Sequence, residues 1–282
     1  MTVTPALPSS RAGRNLPVAI GVGLAMGAVV LTTLFTYRPA FVAVVAVSAA
    51  YASYEVATVL RETAARRLPL IPLVVGTFVT YAAAYQRGSQ ALTVGLLLTG
   101  LALFGWRLLD GGEPEQLRRD LAASWWVLCY VVLLAGFAVL LAIPSDGARR
   151  GTCFIATVVC SDVGGYAAGA LFGRHPLAPS VSPKKSWEGL AGSCAACMLG
   201  GGLLVGLLLH AAIWQGVVYG LAVAVTATVG DLGESLVKRD LGVKDMGRLL
   251  PGHGGLMDRM DSLLLAAPVA YLLLTAFAPP GA

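Results

Sequence analysis

"AASWWVLCYVVLLAGFAVLLAI", residues 122–143, carries no charged side chain. As a helix rising about 1.5 Å per residue it would be roughly 30 Å long, the thickness of a bilayer's hydrocarbon core. Working outward, similar stretches recur at about 16–35, 40–60, 68–85 and 90–106 on one side and 151–172, 190–209, 212–230 and 260–278 on the other. The eighth is separated from the seventh only by "HAAIWQ", residues 210–215. The chain is 57% hydrophobic and 12% charged, against about 25% charged in soluble domains. Its mean hydropathy is +0.76. The apolar residues run on without alternation, which excludes a β-barrel. The expected fold is all-α: a polytopic integral membrane protein with about nine transmembrane helices. The first stretch follows Arg11 and Arg14 as a signal peptide would, but it is too long and lacks a small-x-small cleavage site, so an uncleaved span is expected.

Topology explains the net charge of +5. With the N-terminus in the cytoplasm, nine spans leave sixteen of the twenty Lys and Arg on the cytoplasmic side, as the positive-inside tendency requires. Arg38, Arg87, Arg149 and Arg150 fall opposite. Basic residues scattered in this way do not form a nucleic-acid patch. A multi-pass protein of the cell membrane is expected. Its parts would be a disordered tail (1–15), N-terminal transmembrane helices (16–150) and a C-terminal region (151–282) with cytoplasmic polar segments at 173–189 and 231–261. "DGGEPEQLRRD", 110–120, reads as a solvated connection. Cys194 and Cys197 form a C-x-x-C within "GLAGSCAACMLGGG". No second ligand pair or βαβ context accompanies them, so helix packing is the better reading. Small-residue faces of this kind also leave a homodimer open.

Chemistry concentrates in "SLVKRDLGVKDMGRLLPGHGGLMDRMD", Ser235–Asp261. Asp258 and Asp261, three apart at the start of the ninth span, would share one helix face. Alone they could be helix-start residues favoured by the dipole. Asp231 at the end of the eighth span could simply be solvated. The neighbours point further. His253 stands among glycines, and Gly254 and Gly255 could present backbone N–H groups to a phosphate. Lys238, Arg239, Lys244, Arg248 and Arg259 could neutralise phosphate oxygens. Asp231, Asp245, Asp258 and Asp261 could hold hard cations. The combination suits Mg²⁺-dependent chemistry on a phosphate-bearing substrate at a membrane surface. In the other polar segment, Lys184 and Lys185 follow Ser182-Pro183, and Trp187-Glu188-Gly189 leads back to the membrane. Asp162 lies inside an apolar block, where an ionisable group is a functional candidate or a buried hydrogen-bond partner. Glu55 is a second such residue, open between packing and function. His175 and His210 read as loop and interfacial residues. The chain has no P-loop, G-x-S-x-G or H-E-x-x-H motif.

The run Ser235-x2-Lys238-Arg239-x4-Lys244-Asp245-x-Gly247-x2-Leu250-Pro251-x-His253-Gly254-Gly255-x2-Asp258-Arg259-x-Asp261 resembles the signature of the phosphatidate cytidylyltransferase (CDP-diacylglycerol synthase) family. "SDVGGYAAGALFGRHPLAPSVSPKKSWEG", 161–189, resembles the same family. The resemblance covers roughly 160–265. It implies that CTP and phosphatidate react to give CDP-diacylglycerol and pyrophosphate, with Mg²⁺ and with the number of cations, a monovalent one included, left open. It implies Asp231 and Asp258 as metal ligands, joined by Asp261, with Asp245 next. Lys238, Arg239, Lys244 and Arg259 would contact phosphate, and Lys184 and Lys185 phosphate or head group. Ser235 and His253 would shape the site, and Asp162, Gly254 and Gly255 would line it. The lipid phosphate is already anionic, so no general base is required. CTP would arrive from the cytoplasm and phosphatidate from the surrounding membrane lipid. Rival expectations are a CTP transferase for another lipid phosphate, a CDP-alcohol phosphotransferase (whose D-x2-D-G-x2-A-R pattern is absent) and a transporter coupled through Asp162 and Glu55.

Overall fold

The computed structural model describes residues 16–247, 249 and 254–279. The expected N-terminal tail, Arg248 and His253 lie outside them. Nine helices occur among the described residues: α1 (Leu16–Thr36), α2 (Arg38–Ala64), α3 (Leu70–Arg87), α4 (Ser89–Asp110), α5 (Pro114–Leu141), α6 (Gly147–Phe172), α7 (Trp187–Leu209), α8 (Ile213–Asp240) and α9 (Met257–Phe277). Each apolar stretch of the sequence falls on one helix. Seven, α2 and α4–α9, are long and apolar enough to cross a membrane, and α1 and α3 are not among them. The protein is thus an all-α, multi-pass membrane protein. Breaks between helices follow local chemistry. Pro39 and Pro114 sit in first turns, where a missing N–H is harmless. Gly88, at φ 74°, divides α3 from α4 in a conformation that other residues resist.

Two apolar cores share α9. One joins α2–α5 to Met246, Met257 and Leu264. The other joins the end of α5 to α6, α7, α8 and the rest of α9. In lipid, such helices associate by close packing rather than by the hydrophobic effect. Small residues make that possible here. A Cβ at Gly201 would lie 2.6 Å from the Gly216 carbonyl across the α7–α8 seam. On the α6–α7 seam, one at Gly192 would lie 2.6 Å from the Gly164 carbonyl. Cys197 is fully buried between them, its thiol donating to the Thr157 carbonyl at 3.2 Å. Cys194 and Cys197 are both free thiols.

The helices alternate in direction, so their connections gather at two ends. At one end Arg38 donates to the Pro144 and Ser145 carbonyls at 2.5 and 2.8 Å, and buried Arg150 pairs with Asp146 and donates to the Leu274 carbonyl. These cations cap helix C-termini. At the opposite end meet 65–69, 111–113, 173–186 and 241–247. Segment 110–120 is largely exposed, as expected of a solvated connection, except at its last residue. Asp120 is fully buried, pairs with Arg107 at 3.0 Å, and accepts from Gln116 and the Arg67 N–H. It ties α4 and α5 to the connection between α2 and α3, and a buried charge so surrounded is a stable partner rather than a solvated one. Polar composition alone does not show such burial.

Two further features shape the site. Residues 128–133 of α5 form a π-helical turn, a form that frees backbone groups and recurs at functional sites. The Tyr81 hydroxyl donates to the Val132 carbonyl there at 2.6 Å. Segment 173–189 contains a small antiparallel hairpin, β1 (Pro176–Ala178) and β2 (Ser182–Ser186), an addition to the expected all-helical fold.

Candidate active site

The hairpin is held over the bundle by the residues that start α7. Ser186 caps the helix, its hydroxyl accepting from the Gly189 N–H at 3.1 Å. In the same turn the Glu188 carboxylate accepts from the Arg174 and His175 N–H groups and meets His175 Nδ1 at 2.6 Å. Gly189 lets α7 approach α6, since a Cβ there would be 3.1 Å from the Gly165 carbonyl. At the hairpin's turn, Arg239 of α8 donates to the Val181 carbonyl.

Beneath the hairpin is a cavity of about 310 Å³ between α6, α7, α8 and the start of α9. Its walls include Ser161, Asp162, Lys184, Lys185, Thr228, Asp231 and Ser262. Lys185 forms an ion pair with Asp231. Ser235 Oγ lies 3.4 Å from the other Asp231 oxygen. Asp261 stands beside the cavity, one oxygen accepting from the N–H and hydroxyl of Ser262 at 2.6 and 3.1 Å. Asp162, Asp231 and Asp261 are close enough to feel one another's charge. Two carboxylates and two lysines thus line this space at one end of an apolar bundle, with the Asp261 carboxylate beside it.

A second group of charges lies deeper and serves the loop before α9. The Asp258 carboxylate accepts from the Met246 N–H at 3.0 Å, the Gly255 N–H at 2.8 Å and Lys238 Nζ at 2.8 Å. Lys238 also pairs with Glu234 at 2.6 Å, and Glu234 is 1% exposed. Glu55 reaches in from α2 and accepts the Met257 N–H at 2.9 Å. Gly247 and Gly255 lie flat against its carboxylate, where a Cβ at Gly255 would come within 2.7 Å of it. Carboxylates from α2 and α9 therefore grip the loop from two sides.

The sequence-derived candidates divide accordingly. Asp162, Lys184, Lys185 and Asp231 line the cavity, with Asp261 and Ser235 adjoining. Asp258 and Lys238 are engaged with each other and with backbone. The Gly255 N–H, expected to face a phosphate, is taken by Asp258. Gly254 adopts φ 83°, next to Asp258 and Asp245. Lys244, Asp245, Arg239 and Arg259 are exposed. His253 is outside the described residues. Glu234, which was not singled out, is the buried partner of Lys238; its i, i+4 spacing was the available signal. Tyr130 was also passed over. It projects from the π-turn, and its buried hydroxyl has no partner among the described residues, close to Glu234, Asp261 and Asp231.

The model of the cytidylyltransferase family matches residues 17–277. The chain belongs to the cytidylyltransferase family. Among its members, the phosphatidate cytidylyltransferase of Mycobacterium leprae is 43% identical over 94% of this chain and 89% of its own length. That of Mycobacterium bovis is 40% identical over 96% and 92%. That of Brucella suis is 44% identical over a shorter region, 44% of this chain and 46% of its own. Cytidylyl transfer needs a triphosphate held in place and its negative charge offset. The cavity carries cations and hard oxygen ligands suited to both.

Proposed function

We propose that the protein transfers a cytidylyl group from CTP to phosphatidate, giving CDP-diacylglycerol and pyrophosphate in phospholipid synthesis. The cavity under the hairpin supports this most directly, because Lys184, Lys185, Asp162 and Asp231 share it at the polar end of a membrane bundle. An oxygen of the lipid phosphate attacks the α-phosphorus of CTP. A new P–O bond forms, the bond to the β-phosphate oxygen breaks, and pyrophosphate leaves with the electron pair. Lys184 and Lys185 hold phosphate oxygens. The incoming triphosphate competes with Asp231 for Lys185 and so frees an Asp231 oxygen. Asp258, Lys238, Glu234 and Glu55 keep the loop before α9 in place.

Asp231 and Asp261, with Asp162 nearby, fit Mg²⁺. They are hard oxygen donors that feel one another's charge, with Lys185 paired to Asp231. Among the described residues no three His, Cys, Asp or Glu side chains form a ready-made cage. Mg²⁺ is characteristically bound by one or two carboxylates together with substrate phosphates, which matches this donor set. When bound, it supplies charge neutralisation for the triphosphate. The site-bearing end faces the cytoplasm of the cell membrane, the helices cross it nine times, and the N-terminus is cytoplasmic. The excess of Lys and Arg at that end and the cytosolic source of CTP support this orientation.

The test uses purified full-length protein, radiolabelled CTP, phosphatidate and Mg²⁺. Label should enter the lipid phase and stop doing so with EDTA. Asp231→Asn and Asp261→Asn should each lower turnover by about a hundredfold or more. Failure of label to enter lipid would overturn the function, and transfer indifferent to EDTA would overturn the metal assignment.

A further inference from the structure

A second cavity, of about 150 Å³, lies between α1, α2, α5, α6 and α9. Its walls are aliphatic and aromatic, Val30, Val45, Ala138 and Ile155 among them. Ser48 and Arg259 are the polar side chains of its described lining. α1 packs along α2 and touches α6 more lightly, which leaves a seam beside the cleft on the membrane side. The cleft is therefore an apolar slot within the spans with a guanidinium at one end. Arg259 is exposed, and its charge is felt by Asp162. Asp162 lines the polar cavity described above. Both cavities border the start of α9, where Arg259 and Met260 line the cleft and Ser262 lines the polar cavity.

We propose that this cleft holds a segment of an acyl chain of the phosphatidate substrate, with the lipid phosphate at Arg259, facing the nucleotide cavity. The inference rests on the proposed reaction and adds where the lipid enters and which helices select it. The chemistry is complementary at both ends. A hydrocarbon tail finds a slot with hardly any polar wall, and a phosphate finds an arginine suited to oxyanions. Held this way, the lipid keeps its tail in the membrane while its phosphate reaches the polar site. A zwitterionic lipid would offer the same tail but would bring a quaternary ammonium towards the arginine.

Two measurements on the full-length protein test this. Ser48→Phe and Ala138→Phe narrow the cleft from opposite helices without touching the polar cavity. Each should raise the KM for dioleoyl phosphatidate about tenfold, as expected when two or so methylenes lose their burial. The KM for CTP should stay within about twofold, and dihexanoyl phosphatidate should be affected less. Independently of the variants' folding, phosphatidate with a photoreactive diazirine at the acyl terminus should label α1, α2 and α6 of the unaltered protein. Unlabelled phosphatidate should compete for that labelling, and phosphatidylcholine should not. Labelling spread over the lipid-facing helices α3 and α4, or equal competition by phosphatidylcholine, would overturn the cleft as a substrate site. So would unchanged KM values in well-folded variants. In those cases turnover by the unaltered protein would leave the cytidylyl transfer standing. No turnover at all would overturn both.

Discussion

Glu55 is 4% exposed in the middle of an apolar helix, and its partner is the Met257 N–H, 202 positions along the chain. Nothing near it in sequence suggests that pairing. Its arrangement with Gly247 and Gly255 makes it a positioning residue for the loop that carries Asp258. Glu55→Gln keeps an acceptor but loses its charge. A charge-assisted hydrogen bond contributes about 1.5–3 kcal/mol, so turnover should fall by roughly ten- to a hundredfold. The variant should still insert and purify, and the KM for CTP should change little beside kcat, since Glu55 is remote from the cavity. A variant with full turnover would remove Glu55 from the site. At this scale the sequence shows its charged residues plainly, because in a chain this apolar each one needs a reason. Their partners are less visible. Lys238 and Asp258 read equally well as ligand contacts, yet here they hold each other. Glu234 and Tyr130 gain their importance only from the helices packed against them.

The apolar stretches located each of the nine helices, since an uninterrupted hydrophobic run of that length has one compact backbone solution in lipid. Their polar ends were harder to see. α8 continues to Asp240, ten residues beyond its apolar stretch, because hydropathy stops where backbone hydrogen bonding does not. The Glu234–Lys238 pair supports that extension. The hairpin has no alternating pattern and only short strands, so it left no signature. Its stability comes from the beginning of α7. Ser186→Ala should cost about 1 kcal/mol of local stability through loss of the cap. Hydrogen exchange should then speed up in 176–190 and not in α3 or α4, and the KM for CTP should rise as Lys184 and Lys185 loosen. An unchanged exchange pattern would show that Glu188 alone secures the hairpin.

Taken whole, the molecule separates its cations by task. Arg38 and Arg150, which fall opposite the site, are occupied with helix ends and with Asp146. Lys184, Lys185, Arg239, Lys244 and Arg259 belong to the site-bearing end. If that end is cytoplasmic, an impermeant maleimide applied to intact cells should label a cysteine placed at Gln90, near the α3–α4 turn. One placed at Pro179 in the hairpin should react only after the cells are opened. The native thiols would first be replaced by Ala, a change the packing role of Cys194 and Cys197 should tolerate. The reverse labelling pattern would invert the orientation.

α9 belongs to both apolar cores and brings Asp258, Arg259 and Asp261 to the site. It also follows the other eight helices in synthesis. Until it inserts, Lys238 lacks Asp258 and Glu55 lacks the Met257 N–H. A nascent chain ending after α8 would keep the Glu234–Lys238 and Lys185–Asp231 pairs but would leave the Glu55 carboxylate without its backbone partner inside the spans. Activity and completion of the fold would then arrive together.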